Sequence, residues 1–157
     1  DGHQPGDEIA AASNGPTSAR VKAEALSITP LDSLQIIVNG EVVQTVAARD
    51  KARIAFDGPV PMPEGGWIAA RVLGPHSKYV GDDYAFAHTS PVYVVRGSRR
   101  FVKAEDAQFL AQTVDAIWAR VERSRWRSDA ERDRFKLAVD SARAVYARLA
   151  GRGSAAR

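Results

Sequence analysis

The first two thirds of the chain alternate apolar and polar residues with the period of two that indicates β-strands. In RVKAEALSI, Val21, Ala23 and Ala25 alternate with charged residues, which predicts a strand with one solvent-facing side. Asn39 and Gly40 separate two further β-rich runs, and a type I′ turn requires positive φ at both of its central positions. This dipeptide therefore predicts a β-hairpin over LQIIVNGEVVQTV.

Other β-rich runs lie on both sides of the hairpin. PGDEIA predicts a short edge strand. ARIAFDG predicts a strand in which Ile54 and Phe56 share a face. Two more strands are predicted for GWIAARVLG and SPVYVV. The three prolines of GPVPMPEGG predict a loop, because proline cannot donate a hydrogen bond to a sheet. About seven short strands with no helix between them are typical of an immunoglobulin-like antiparallel β-sandwich. Trp67 is expected in its core.

The last third of the chain carries apolar residues at the 3.6-residue period of amphipathic helices. The first helix presents five of them: Leu110, Val114, Ile117, Trp118 and Val121. The second presents six: Phe135, Ala138, Ala142, Val145, Tyr146 and Leu149. Ser128 and Glu131 fit a capping box at the start of the second helix, and Gly151 is expected to end it. The short link SRWRS predicts an antiparallel helical hairpin.

These patterns predict a mainly β protein with an α appendage, in three parts. Residues 1–98 are expected to form the β-sandwich domain, residues 99–150 a helical hairpin packed on the sandwich or on a missing domain, and residues 151–157 a disordered tail. The chain begins with Asp1, and Met62 is its only methionine. We interpret this as a fragment of a longer product.

The net charge of +3 is unevenly distributed. Residues 99–157 carry 14 Lys or Arg against 8 Asp or Glu, whereas residues 1–98 carry 8 against 11. Arginines around the helix–helix link could contact phosphates while Trp126 stacks on bases. They are Arg120, Arg123, Arg125, Arg127, Arg132 and Arg134. Arginine stems that cover apolar helix surface explain the same pattern, so nucleic acid is a disfavoured partner.

Cysteine and long apolar runs are both missing from the sequence. Without cysteine, disulfides, thiolate catalysis and cysteine-ligated metal sites are excluded. No apolar run approaches the roughly 20 residues that cross a bilayer, and DGHQPGDEIA lacks the basic and hydrophobic regions of a signal peptide. We expect a soluble protein without membrane insertion, and the compartment stays open.

One stretch offers ligands for an oxygen- or nitrogen-liking metal. His76, Asp82, Asp83 and His88 lie close together in sequence, but none shows H-x-H or H-E-x-x-H spacing. A solvated turn and a hydrogen-bonded histidine explain the same residues. Ser90 lies near His88 without a G-x-S-x-G elbow, so a serine hydrolase is not indicated. We keep the four residues as low-ranking metal candidates and assign no catalytic or cofactor-binding residue.

Several segments, read in order, resemble one protein family. They resemble the C-terminal region of the CehA/McbA-type (carbaryl-hydrolase-like) metallohydrolases of the PHP superfamily. The segments are PGDEI, VKAEALSITPLDSLQIIVNGEVV, GWIAARVLGP, YAFAHTSPVYVV and the two helical segments. IVNGEVV and AFAHTSPVYV are the most specific parts. One departure is Lys103, which stands where a Ser or Thr helix cap is expected.

The resemblance implies that hydrolysis belongs to an N-terminal PHP domain, a distorted β/α barrel in which histidines and carboxylates hold divalent metals. None of that domain's ligand motifs has a counterpart in this sequence. The expected function is a non-catalytic C-terminal accessory domain of a PHP-type metal-dependent hydrolase. The metal would be held by the missing catalytic domain, which is the expected partner, and a homo-oligomer is an alternative association.

A free-standing immunoglobulin-like module that binds a protein or a glycan is the second hypothesis. Trp67, Tyr79, Tyr84 and Tyr93 are its candidate contact residues, although a sandwich core also needs such aromatics. The two hypotheses predict different surfaces. A domain separated from its barrel should expose a large apolar patch or self-associate, whereas an independent module should be monomeric.

Overall fold

The structure is a computed structural model that contains eight strands followed by two helices in the part of the chain it describes. The described residues are 2–12, 14–15, 17–49, 51–62, 65–97 and 100–154, with the backbone alone for residues 153 and 154. The chain divides into two compact units, Asp1–Phe101 and Val102–Arg157. The protein is mainly β with a helical C-terminal appendage, as predicted.

The first unit contains two β-sheets. Its strands are β1 (Glu8–Ala11), β2 (Ser18–Leu26), β3 (Ser33–Val38), β4 (Glu41–Ala47), β5 (Arg53–Pro61), β6 (Gly66–His76), β7 (Tyr84–His88) and β8 (Val92–Arg96). The larger sheet has the order β1, β8, β6, β3, β4, and β7 pairs with the other half of β6. The second sheet consists of β2 and β5. β1 runs parallel to β8, and every other strand pair is antiparallel.

The β3–β4 hairpin is confirmed at its predicted place. Asn39 and Gly40 both have positive φ, 53° and 91°, as a type I′ turn requires. A register shift between Ile36 and Ile37 marks a bulge in the ladder. The bulge leaves Ile37 directly opposite Val42 of β4.

The apolar core lies between the two sheets. Leu34 and Ile36 of β3 are 2% and 0% exposed, and they share buried clusters with Ile54 and Val60 of β5. Phe56 packs against both clusters, so Ile54 and Phe56 share a face as predicted. The burial of this shared apolar surface holds β2 and β5 against the larger sheet.

Trp67 does not belong to this core, contrary to the prediction. Its neighbour Ile68 is buried in the second cluster, while Trp67 is only half-buried and is part of neither cluster. Successive side chains of a strand point to opposite faces of the sheet. Since Ile68 points inward, Trp67 points outward.

β5 corrects the loop predicted for GPVPMPEGG. Pro59 and Pro61 are part of the strand and stay in register with β2. In a two-stranded sheet each strand has a free edge, where a residue without an N–H group costs no ladder hydrogen bond. Pro63, the third proline, lies outside the described residues.

The second unit is the predicted helical hairpin, formed by α1 (Ala104–Val121) and α2 (Asp129–Ser154). Trp118 of α1 stacks on Phe135 of α2, with ring centroids 6.3 Å apart. The serine half of the predicted capping box is confirmed, because Ser128 Oγ accepts a hydrogen bond from the Glu131 N–H at 3.2 Å. The Glu131 carboxylate accepts a hydrogen bond from the Arg127 N–H at 2.8 Å, one residue before the Ser128 N–H that a capping box uses.

Two helix ends can be compared with the sequence. Lys103 is the N-cap of α1 and makes no side-chain capping hydrogen bond. α2 continues through Gly151 to Ser154, so the predicted stop at Gly151 is wrong. Glycine lowers helix stability by about 1 kcal/mol relative to alanine, which does not end a helix of several turns. Residues 155–157 lie outside the described part of the chain.

Candidate functional site

The surface of the six-stranded sheet that faces away from the core carries aromatic and apolar side chains. We call this surface the outer face. Its members alternate along each strand with the buried residues: Ile37, Val42, Trp67, Ala69, Arg71, Tyr84, Phe86, His88 and Tyr93. Tyr84, Phe86 and Tyr93 are 50%, 47% and 41% exposed. Contiguous exposed apolar side chains of this kind mark interaction surfaces.

Strand pairing brings the aromatic residues of the outer face together. Trp67 of β6 stands opposite Tyr93 of β8. Along β7, the rings of Tyr84 and Phe86 lie 6.2 Å apart edge to face, and those of Phe86 and His88 lie 5.8 Å apart. Tyr84, Phe86 and His88 therefore form a continuous row of rings along one strand.

A groove of about 540 Å³ lies on the outer face where β7 gives way to β8. Its walls are mostly apolar and include Ile37, Trp67, Ala69, Phe86, Pro91 and Tyr93. At this break Thr89 maintains the pairing with β6. Its N–H donates to the Ala70 carbonyl at 2.9 Å, and its Oγ1 accepts from the Ala70 N–H at 3.1 Å. The groove thus lies at the break between β7 and β8, where the hydrogen bond of the Thr89 side chain keeps the chain attached to β6.

The turn of the β3–β4 hairpin determines where Trp67 lies in this groove. Asn39 Oδ1 accepts a hydrogen bond from the Trp67 N–H at 2.8 Å, and its Nδ2 donates to the Gly65 carbonyl at 3.0 Å. Gly66 has φ of 117°, a conformation that residues with a Cβ rarely adopt. The start of β6 is therefore held by the hairpin turn.

Arg71 places a guanidinium among the apolar walls. Its Nε and Nη2 donate to Oε1 of Gln35 on the adjacent strand, at 3.0 and 2.6 Å. Among the described residues no carboxylate lies within ion-pair distance of Arg71. Three other arginines of this unit do have carboxylate partners, in the pairs Arg20–Asp57, Arg53–Glu24 and Arg100–Glu8.

The four metal candidates are exposed side chains, and the fold separates the two histidines among them: His76, Asp82, Asp83 and His88. In the β6–β7 ladder His88 stands opposite Arg71, whereas His76 stands opposite Tyr84. Five residues along a strand separate these positions by roughly 16 Å. Within the described ranges no group of three His, Asp or Glu residues could hold a metal ion.

The predicted contact aromatics are only partly brought together. Trp67, Tyr84 and Tyr93 lie on the outer face, whereas Tyr79 is 70% exposed in the β6–β7 loop with Lys78 Nζ 5.2 Å from its ring centroid. Phe86 is the aromatic residue that the sequence analysis missed. Its alternation with two alanines in YAFAH was the available signal.

Trp126 of the arginine-rich helix link packs against the helices. Trp126 is half-buried, its ring centroid lies 5.5 Å from that of Phe135, and its Nε1 donates to the Glu122 carbonyl at 3.3 Å. Arg132 contacts Asp133. The tryptophan is thus folded onto the helices.

Charged pairs in the second unit lie along α2 and between α1 and α2. Lys136 donates to Asp140 at 2.5 Å and lowers the pKa of that carboxyl, with a smaller contribution from Arg143. Asp115 accepts a hydrogen bond from Arg143 at 2.5 Å and raises the pKa of that guanidinium. Since Asp115 lies on α1 and Arg143 on α2, this contact joins the helices directly.

No helix in the described ranges is both long enough and apolar enough to cross a membrane. No protein-family model, curated protein or solved structure matches the chain.

Proposed function

We propose that the chain is a non-catalytic C-terminal accessory domain of a PHP-type metal-dependent hydrolase, and that its outer face docks on the catalytic domain. One observation carries this proposal. The segments IVNGEVV, GWIAARVLGP and AFAHTSPVYV, on which the resemblance rests, lie in β3–β4, β6 and β7–β8. These strands are neighbours in one sheet, and together they supply most of the outer face.

The composition of the outer face supports a docking role. The centres of protein interfaces are enriched in Trp, Tyr, Phe and Arg, and a few such residues supply most of the binding energy. Trp67, Phe86, Tyr93 and Arg71 lie together around the groove. Phe86 and Tyr93 are 47% and 41% exposed, so a partner that covered them would remove apolar surface from water.

The immunoglobulin-like assignment belongs to the same proposal. β2 and β5 form one layer, and the six-stranded sheet forms the other. β7 and β8 pair with the two ends of β6 and can be counted as one interrupted strand, which leaves about seven strands, the number typical of immunoglobulin domains. The apolar clusters between the layers agree with a sandwich.

In this proposal the chemistry belongs to the other domain. A divalent metal in the catalytic domain would activate water, and this chain would bind nothing that reacts. Its contribution would be to cover part of the barrel surface, to shape the rim of the active site or to help subunits associate.

Sequencing of the reading frame upstream of Asp1 tests the proposal first. We expect a few hundred residues with histidine pairs at the ends of predicted barrel strands. A start codon or a signal peptide immediately before Asp1 would contradict the proposal.

Analytical ultracentrifugation of the chain itself tests the docking face. We expect concentration-dependent self-association that Phe86→Ser abolishes, because association would remove this exposed apolar surface from water. Leu26→Ser is a matched control, since Leu26 is 75% exposed on the other sheet. In the longer chain, amide hydrogen exchange should be slower around Phe86 than in this chain, and equal rates would count against docking.

A free-standing module that binds a protein or a glycan is the second candidate function. The observation in its favour is the groove itself, in which Trp67 and Tyr93 lie beside the polar groups of Arg71 and Ser90. A protein that stays monomeric at high concentration, encoded without a catalytic domain, would favour this candidate.

A further inference from the structure

We propose that Arg71 anchors the carboxylate of a docked acidic peptide segment, so that the outer-face groove recognises an Asp or Glu flanked by apolar residues. The proposal rests on the proposed function, because the segment would belong to the domain that docks on the outer face. It adds the chemistry by which the groove would select that segment.

The first argument is the orientation of the guanidinium. Gln35 Oε1 accepts from both Nε and Nη2 of Arg71. A neutral amide holds the guanidinium in place without neutralising its charge. Among the described residues, Nη1 has no hydrogen-bond partner, so this end remains for an acceptor from outside. A carboxylate can accept two parallel hydrogen bonds from a guanidinium, which makes it a suitable acceptor.

The second argument is the charge around Arg71. The residues that line the groove include no Asp or Glu. Glu8 lies opposite Tyr93 on the neighbouring strand β1, but Arg100 Nη2 already contacts this carboxylate at 2.7 Å. The groove therefore contains a positive charge among apolar side chains, where an opposite charge is attracted more strongly than in open water.

The third argument distinguishes a peptide from a sugar. A glycan presents many hydroxyl groups, which need polar side chains around them. The walls of the groove are mostly apolar and include Ile37, Ala69, Phe86 and Pro91. His88, Thr89 and Ser90 add few polar groups beside Arg71, and the hydroxyl of Thr89 already accepts from the Ala70 N–H. Apolar walls around one oriented cation fit an acidic residue between apolar neighbours.

Nuclear magnetic resonance titration of the ¹⁵N-labelled protein with two peptide pools tests the proposal. Both pools consist of capped heptapeptides with leucine, valine and proline in varied order around a fixed centre, which is glutamate in one pool and glutamine in the other. The signals of the Trp67 indole and the Arg71 Nε–H group report binding. We expect the glutamate pool to bind on the order of tenfold more tightly, and salt to reduce this preference.

Two variants and one control test the role of Arg71. Arg71→Gln removes the charge and should remove the preference for glutamate. Gln35→Glu supplies an internal carboxylate to Arg71, so it should also abolish the preference while the strand pairing is kept. Arg20→Gln, on the other sheet, should leave the tenfold preference unchanged.

Several results would overturn the proposal. They are equal affinity for both pools, a glutamate preference that persists in Arg71→Gln, or no change in the Trp67 and Arg71 signals with either pool. Binding of a glucuronic-acid oligosaccharide at these signals without binding of the peptides would overturn the peptide assignment in favour of a glycan.

The test is independent of the proposed function. If both pools bound equally, the result would contradict the role of Arg71 as a carboxylate anchor, and it would leave the proposed docking role of the outer face unaffected. If the upstream reading frame lacked a catalytic domain, a glutamate preference would still identify an acidic partner from elsewhere.

Discussion

The side-chain amide of Asn39 occupies the space in which a Cβ atom on Gly66 would have to lie. The same amide bonds to the Trp67 N–H and the Gly65 carbonyl, on the strand next to its own. The residue that forms the hairpin turn therefore also positions the first residues of β6. Through this contact a local turn controls the position of Trp67 in the groove.

Asn39→Ala should lower the free energy of unfolding by about 2–3 kcal/mol, because two hydrogen bonds are lost and alanine is disfavoured at positive φ. Asn39→Gly is the matched variant, since glycine tolerates the turn conformation but lacks the side chain. Asn39→Gly should lower the free energy of unfolding by about 1 kcal/mol less than Asn39→Ala does. Urea denaturation measures both variants. Equal stabilities of the wild type and Asn39→Ala would show that the hydrogen bonds of the Asn39 side chain contribute nothing to the free energy of unfolding.

Gly66→Ala should also destabilise the protein, because its Cβ would meet the Asn39 amide and because φ is 117° at this position. Combining it with Asn39→Gly removes the clash but not the unfavourable backbone conformation. The double variant should therefore be more stable than the sum of the two single losses predicts. Strictly additive losses in urea denaturation would argue against the steric contact.

Arg96 is expected to be the arginine whose loss most destabilises the first unit. Its Nη1 donates to the carbonyls of Ala12 and Gly15, and its Nη2 donates to the carbonyl of Met62, each at 3.1 Å. Arg96→Gln should cost about 2–4 kcal/mol in urea denaturation, because charged donors to partly buried carbonyls are removed.

Arg20→Gln is the control for Arg96, since its side chain is 75% exposed and pairs with Asp57 at the surface. It should cost roughly 0.5 kcal/mol or less. Similar losses for both arginines would contradict the role assigned to Arg96.

Ile36 and Ile37 are adjacent residues of β3 with opposite surroundings. Ile36 is fully buried between the sheets, whereas Ile37 lines the groove. Ile36→Ala should therefore lower the free energy of unfolding by about 2–5 kcal/mol, and Ile37→Ala by about 1 kcal/mol or less. Thermal unfolding of the two variants checks the assignment of the faces, and the reverse order would show that β3 is turned over.

The pKa of Asp140 should lie below the usual 3.8 when it is measured by carboxyl ¹³C titration, mainly because Lys136 donates a hydrogen bond to it. A carboxyl whose pKa is lowered in the folded state adds stability above its unfolded pKa and loses it as the pH falls through the folded value. This contribution should therefore be present at neutral pH and disappear below about pH 4. Lys136→Met should raise the pKa, and an unchanged value would contradict the assigned cause.

Much of the local structure could be predicted from the sequence. The Asn39–Gly40 turn and the Ser128 cap of α2 depend on residues within a few positions of each other, and both are confirmed. The change of period from 2 to 3.6 likewise places the strands before the helices. In each case the backbone conformation follows from neighbouring residues alone.

The outer face could not be predicted in the same way. An apolar residue has the same sequence signal whether it points into the core or out of the sheet, so Trp67 was placed on the wrong face. The position of Phe86 depends on β7 pairing with β6, and the contact of Arg71 with Gln35 joins residues 36 positions apart.

The sequence by itself therefore determined that strands precede helices, and it determined the hairpin turn and the serine cap of α2, but it did not predict β7 as a strand. Only the tertiary structure decided which side of the larger sheet is covered by β2 and β5, and hence which aromatics stay exposed. It also placed Pro59 and Pro61 in a strand, because a two-stranded sheet leaves an edge where their missing N–H groups are tolerated. The physical reason is that burial depends on which distant strands pack together. The spacing of apolar residues along one strand does not determine which of its two faces will be covered.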